Sequence, residues 1–525
     1  MSSCWSSAIS AKMNSLRGSL HASLVNTAER HGGQREALRD SVRSHSLEDL
    51  ISQSQRLAGA FVEHGVSPGD RVVICASNRT EFVVAHFAVL FAGGISVPVD
   101  QSSAASGIEL ILKATLPKVF VTTYAPLRNL RQRGIKLPAV VILIADGEGD
   151  GDAETEKVES FSDLVENGRA FFSSRNVEHS TILYTTGSSG RPKGVLLSHA
   201  ATLHTTSNVM EFVGYSPNDR EVVSIPVTHS FGLGHIYCNL FSGGAVYLEN
   251  GLLNVKRVLT TIQNWGATGF PGTPLGFGLL LDTYGSAFEK YAHGLRFIVV
   301  NSAPLSPERA AQLHSALPGT EFFVYYGLTE ASRSTFISLT RSGPSKYASV
   351  GKPMCGVNIS LSSNEGEILI HGPHLAHEYW MDEDLSSRVF SLEGLRSGDL
   401  GKFDGDGFLY VTGRLSDLIN FGGYKIDPIE VEQWLCSFPE IADAGVTAVE
   451  STITAEDVEV VAMIVVKNGF TLDDVSLFQR TRAGLDLFKV PRRWIKVGAI
   501  PRSATGKILR AELRQVAISN MRNDL

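Results

Sequence analysis

The chain predicts an α/β protein in two parts: a large N-terminal domain with parallel-rich sheets flanked by helices, and a small α+β C-terminal domain. Three observations predict this. Segments with helical apolar spacing alternate with short buried-strand runs along the N-terminal stretch. The 525 residues, 43% of them apolar, are too many for one core and ample for several. After Arg414 the alternation gives way to a different pattern, beginning at Leu415-Ser416-Asp417 and FGGYKIDPIEVEQWL. The predicted organisation is an extension at 1–19, a large domain at 20–414 and a small one at 415–525.

The elements follow in order. Leu47, Leu50, Leu57, Ala60 and Phe61 give Ser46 to His64 helical spacing. Gly69-Asp70 then breaks the chain before Arg71-Val72-Val73-Ile74-Cys75, a buried-strand run. Glu81 to Phe91 is helical, Ile95 to Val99 a strand, Glu109 to Ala114 helical and Lys118 to Thr122 a strand. Such alternation builds parallel sheets with helices on both faces. Asp146 to Glu156 reads as a surface loop. In the small domain we expect helices at Pro428 to Ser437 and Thr471 to Leu485, and strands at Ala442 to Val449 and Glu459 to Val466.

Composition narrows the function classes. A net charge of −7 offers no basic surface for nucleic acid. Cys4, Cys75, Cys238, Cys355 and Cys436 form no C-x-x-C pair, which argues against a cysteine zinc site and against disulfides. They are expected to be buried apolar residues in a reducing, cytoplasmic setting. No run reaches the ~18 apolar residues of a membrane span. The Ser-rich lead Met1 to Ser19, with Lys12 and Arg17 and no acid before Glu29, reads as a disordered extension rather than an organelle presequence.

Tyr184 to Gly194, YTTGSSGRPKG, has the composition of a polyphosphate-binding loop. Small residues let backbone N–H groups approach phosphate oxygens, hydroxyls add donors, and Lys193 brings a compact positive charge. ATP is therefore the first ligand to consider. The candidates are Thr185, Thr186, Gly187, Ser188, Ser189, Gly190 and Lys193, with Thr186 also counted as catalytic. Gly194 after Lys193 excludes a Walker A loop. Ser180 to Tyr184 reads as a strand, and Val195 to His199 as the opening of a helical pattern.

TTGSSGRPKG resembles the signature of the acyl-adenylate-forming superfamily, which includes acyl-CoA synthetases, aryl-CoA ligases, luciferases and peptide-synthetase adenylation domains. Four further blocks resemble it in the same order: YYGLTE (Tyr325 to Glu330), GEILIHG (Gly366 to Gly372), SGDLGKFDGDGFLYVTGR (Ser397 to Arg414) and PRSATGKILR (Pro501 to Arg510). The likeness runs from about Leu20 to the C-terminus.

The resemblance implies roles. Glu330 would help hold Mg²⁺ on the triphosphate, since hard cations take oxygen ligands. Tyr325 or Tyr326, with Tyr326 favoured, would stack on adenine. Thr329 belongs to the same nucleotide-binding block. Asp399 would accept from the ribose hydroxyls, with Arg414 donating to the sugar or a phosphate. His229 would shape the acid pocket beside the reacting carboxylate, and Asn301 and Gly327 would be among its walls. Relatives that activate α-amino acids carry an Asp just past this point; Ser230-Phe231-Gly232 stand here, so the acid is expected to lack an α-amino group. Lys507 would neutralise charge as the carboxylate attacks the α-phosphate. Gly422-Gly423 would give a pantetheine arm room to pass. Ser416 occupies the hinge position, where relatives carry Asp or Lys.

The implied reaction has two halves: an acid and MgATP give acyl-AMP and pyrophosphate, then the acyl group passes to a thiol, of CoA or a separate phosphopantetheinylated carrier protein. The alternatives are an amide-forming ligase using the same acyl-AMP, and a catalytically silent nucleotide or acyl binder. A hydrolase is disfavoured because there is no G-x-S-x-G elbow.

Overall fold

The computed structural model describes residues 18–144, 157–175, 177–186, 192–303, 305–363, 366–421, 424–450, 458–503 and 506–523. The expected extension up to residue 17 and the loop at 146–156 fall outside these. Contacts divide the chain into two compact units. The first comprises Met1–Asn301, Leu305–Ile359 and Ile370–Leu395; the second comprises Ser302–Pro304, Ser360–Leu369 and Arg396–Leu525.

Two large sheets organise the first unit. One has eight strands in the spatial order Glu378–Tyr379, Pro192–Ser198, His179–Thr186, Ile95–Val99, Arg71–Cys75, Val119–Thr123, Val140–Ile144, Lys157–Ser160. Its strands are parallel except at the hairpin edge, where Pro192–Ser198 runs antiparallel to both neighbours. The other has nine, running from Lys352–Pro353 through Glu321–Tyr326 and Arg220–Val223 to Ser44–Ser46, again parallel in its middle.

Period-two side-chain alternation sorts the first sheet's residues between two cores. Val72 and Ile74 enter one cluster together with Val223, Phe297 and Phe323 of the second sheet. Val73 and Cys75 enter another with Ile108 and Leu112 of the helix Ala105–Thr115. Helices thus cover both faces, as the alternation predicts. Between the sheets lies the helix Thr80–Phe91, buried on every side. Its His86 bridges the Ser96 hydroxyl at 2.8 Å and the Tyr237 hydroxyl at 2.6 Å, which satisfies both ring nitrogens in the dry core. Burial lowers the His86 pKa to about 3 and keeps the ring neutral.

Local signals set the ends. Ser46 begins the helix Leu47–Glu63 with a reciprocal capping box to Asp49. The cysteine expectation needs correction: Cys75 and Cys238 are buried, but Cys355 and Cys436 are exposed, and Cys4 lies outside the described residues. Cys355 sits in a turn and Cys436 ends a helix, so position overrides the residue's apolar preference.

The second unit contains the antiparallel pairing of Asp399–Phe403 with Leu409–Arg414 and the sheet Ile441–Glu450, Val458–Val466, Arg493–Lys496. The helices Pro428–Cys436 and Asp474–Arg482 pack their apolar faces on that sheet with Val446 and Ala462. Among the described residues, no helix is long and apolar enough to cross a membrane.

Candidate active site

The loop rich in Ser and Gly joins a β-hairpin. His179–Thr186 and Pro192–Ser198 pair antiparallel, with Thr185 opposite Lys193 and Thr186 opposite Pro192. Gly187, Ser188, Ser189 and Gly190, and the side chain of Thr186, lie outside the described residues. The segment after the loop is therefore a strand, where a helical pattern was expected. Val195 packs with Ala376 and Tyr379 while Leu196 packs with Ile182 in a different cluster, and this two-sided burial selects a strand. The helix starts only at His199, where the Ser198 hydroxyl accepts from the Ala201 N–H at 3.0 Å.

Two charged candidates meet at one tyrosine. The Lys193 ammonium stands 5.8 Å from the centre of the Tyr379 ring. The Tyr379 hydroxyl donates to Glu330 Oε1 at 2.5 Å. Burial, then the charge of Glu330, pushes the Tyr379 pKa up, so the phenol stays a donor. Glu330 and the half-buried Thr329 sit in a tight turn in which Leu328 and Ala331 exchange backbone hydrogen bonds at 3.1 and 3.2 Å. Gly327 begins the turn, and a Cβ there would stand 2.3 Å from the Arg333 nitrogen and 2.7 Å from the Ala331 oxygen. A second tie holds the turn to the tyrosine's segment: Ala376 N–H donates to Glu330 O at 2.8 Å.

Tyr325 and Tyr326 end the strand Glu321–Tyr326, so their side chains leave opposite faces. The Tyr325 ring is buried, stacked on Phe336 with centroids 5.2 Å apart and faced by the Arg333 guanidinium at 5.1 Å. Burial raises the Tyr325 pKa to about 12. Arg333, only 5% exposed, has a left-handed φ of 58°. Its guanidinium donates to Phe231 O at 3.0 Å and Ser230 O at 3.3 Å. Space for it exists because residue 234 is glycine, where a Cβ would stand 2.1 Å from a guanidinium nitrogen. His229 precedes those carbonyls as the extended N-cap of the helix Ser230–Ser242, and is exposed. Asn301, half-buried, follows the strand Phe297–Val300 and donates its N–H to Gly272 O at 3.3 Å.

In the second unit, Asp399 and Arg414 are cross-strand partners, joined Nε to Oδ1 at 2.6 Å, with Asp399 buried and Arg414 half-exposed. Next to them, a Cβ on Gly413 would meet the Asp427 carboxylate, so the hairpin packs on the start of the helix Pro428–Cys436. Leu415–Asp417 is one 3₁₀ turn. Asp417 accepts from Arg510 Nε at 3.2 Å, and Arg510 also grips Glu432. The Ser416 side chain and Gly422-Gly423 lie outside the described residues. Lys507 is exposed on a turn closed by Ser503 N–H to Lys507 O at 2.8 Å and Gly506 N–H to Ser503 O at 2.9 Å. Arg502 anchors this turn by a two-pronged pair with Asp443 at 2.7 and 3.1 Å.

The family models decide what this arrangement belongs to. The model described as AMP-binding enzyme matches residues 24–380, and that for the AMP-binding enzyme C-terminal domain matches 430–507. The chain belongs to the AMP-binding enzyme family. As an AMP-binding enzyme it is 29% identical to an oxalate–CoA ligase of Arabidopsis thaliana, over 89% of this chain and 92% of that one. The ATP-bound structure of MatB from Rhodopseudomonas palustris superposes with a TM-score of 0.84 at 23% identity, covering 95% of this chain and 98% of that one. The amide bond synthetase McbA from Marinactinospora thermotolerans has a TM-score of 0.83 at 23% identity, covering 95% and 100%. These structural likenesses show the fold.

Sequence reasoning missed Tyr379, Arg333, Arg502 and Arg510. Tyr379 stands alone in HEYW, with no spacing to mark it; only folding brings it to Glu330. The donors around Tyr379 suit an AMP-binding enzyme's nucleotide. The Glu330 carboxylate fits a hard divalent ion that takes its remaining oxygens from substrate phosphates.

Asp427 carries a pH prediction. Burial raises its pKa to about 6. The folded state therefore binds this proton more tightly than the unfolded chain, and stability falls as pH rises from about 4 to about 6. Asn at this position still caps the helix, accepting from Ile429 N–H as Asp427 does at 2.9 Å. Asp427→Asn is expected to stabilise the small domain at neutral pH by roughly 1–2 kcal/mol, allowing for partial exposure. Thermal melts should show the gain vanish below about pH 4; a gain independent of pH would refute the burial argument.

Proposed function

We propose that this AMP-binding enzyme activates a carboxylic acid lacking an α-amino group, forming acyl-AMP and pyrophosphate from MgATP, and then transfers the acyl group to a thiol. The convergence of Lys193 and Glu330 on Tyr379 at the mouth of the Ser/Gly hairpin carries the reading. Lys193, Thr185, Thr186 and the loop Gly187, Ser188, Ser189 and Gly190 hold the triphosphate. Glu330 holds Mg²⁺, which supplies charge neutralisation between the phosphates. Tyr326 stacks on adenine, because the Tyr325 ring is already covered by Phe336 and Arg333. Asp399, fixed by Arg414, accepts from the ribose. His229, Asn301 and Gly327 border the acid, and Lys507 stabilises charge on the attacked α-phosphate.

The two half-reactions need different groups near one carbonyl, and we assign the exchange to rotation at Leu415–Ser416. Asp417 is held by Arg510 and so travels with the small domain. Ser416→Pro, which fixes φ near −65°, is expected to leave one half-reaction nearly intact and cripple the other. Unchanged rates in both would move the pivot elsewhere.

The thiol is CoA or a separate phosphopantetheinylated carrier, the role for which the resemblance singles out Gly422-Gly423. Likeness to an amide bond synthetase keeps an amine acceptor as the second reading. Pyrophosphate release across a panel of acids identifies the donor. Offering CoA, phosphopantetheinylated carrier and amino acids to the adenylate then identifies the acceptor. Amide without enzyme-dependent thioester overturns the thiol; no pyrophosphate with any acid overturns the whole reading in favour of a silent binder.

A further inference from the structure

The hairpin that carries the phosphate loop has a second end, and there the chain gathers nitrogen and oxygen donors. His179 opens the strand His179–Thr186, with Glu178 just before it. His377 lies immediately before the edge strand Glu378–Tyr379. The strand Pro192–Ser198 runs between them and ties both: His179 pairs opposite Ser198, and His377 N–H donates to Leu196 O at 2.9 Å. The two imidazoles face edge to face with centroids 4.8 Å apart at 63°. One ligand atom from each of Glu178, His179 and His377 lies within 4.8 Å of the other two. His179 Nε2 is buried and has no hydrogen-bond partner, a state that calls for a ligand.

We propose that Glu178, His179 and His377 form a divalent transition-metal site of the zinc class, separate from the magnesium site proposed at Glu330. Two imidazoles and one carboxylate suit zinc and its neighbours, whereas magnesium demands an octahedron of oxygens. Three protein ligands leave one tetrahedral position for water. Tetrahedral ligands bound at 2.0–2.2 Å stand roughly 3.3–3.6 Å apart, so ligand atoms within 4.8 Å of one another have to close by up to about 1.5 Å, a side-chain rotation. The exposed Glu178 and His377 side chains have the freedom to do so, while the strands hold their backbones. Bound metal pins the outer edge strand to the loop-bearing strand. The exposure of two of the ligands makes the site exchangeable.

The test uses the full chain, freed of metal by chelator, titrated calorimetrically with zinc chloride and optically with cobalt chloride. The expected result is one equivalent of zinc bound, undiminished by excess magnesium, a cobalt complex with visible absorption, and a metal-dependent rise in melting temperature. His377→Ala, at an exposed position, is expected to keep the circular dichroism of the parent, weaken zinc binding by about tenfold or more, and abolish the cobalt absorption. His179→Gln should do the same. Zinc binding of equal strength in parent and both variants, or none in the parent, overturns the site.

Discussion

Lys507→Ala is expected to reduce acid-dependent pyrophosphate release by roughly 10²–10³-fold, about 2.7–4 kcal/mol of barrier, while transfer from supplied acyl-AMP stays within a few-fold of the parent. The turn explains why the effect should be chemical rather than structural. It is closed by the backbone of Ser503, Gly506 and Lys507, turned by Gly506 at φ +85°, and anchored by Arg502 on Asp443. None of these contacts uses the Lys507 ammonium, so alanine leaves them in place while it removes the charge. Acetylation of Lys507 removes the same charge and should reproduce the loss. Measuring both half-reactions separately checks the assignment: equal loss in both would sink a role confined to adenylation, and no loss would remove Lys507 from the chemistry.

Glu330→Gln should lower the rate of adenylation at limiting magnesium by about 10²-fold, since a metal contributes several kcal/mol of charge stabilisation in such transfers. Glutamine keeps the shape and still accepts from the Tyr379 hydroxyl, so the turn Leu328–Ala331 persists and the lost charge is isolated as the cause. Tyr379→Phe provides the control. It keeps the ring beside Lys193 and the charge of Glu330 and removes one hydrogen bond to the carboxylate, so it should cost less than Glu330→Gln. A magnesium titration of initial rates separates the two: the Gln variant should need more metal, the Phe variant scarcely more. If Glu330→Gln matches the parent at low magnesium, the carboxylate does not hold the ion.

Much of this molecule is written in local chemistry. Alternating helical and period-two spacing determined the α/β class, because each element must bury one face or both, and the residues that do so recur at the element's own period. Arg71–Cys75 and Ile95–Val99 therefore appear where their apolar runs lie. The Ser/Gly/Lys loop and the blocks YYGLTE and SGDLG…VTGR pointed to the family, and they are where the nucleotide chemistry is proposed, since phosphate and ribose recognition needs particular residue types at short separations. Tertiary structure decided the rest. The run Val195 to Ser198 reads locally as the opening of a helical pattern, and pairing with His179 to Leu183 made it a strand. Tyr379 reaches Glu330, Arg333 enters the space over Gly234, and His377 meets His179 across a strand. Each contact joins residues tens to hundreds apart in sequence. Such meetings depend on how two sheets and their helices pack, a property of the whole buried surface that no short window of residues contains.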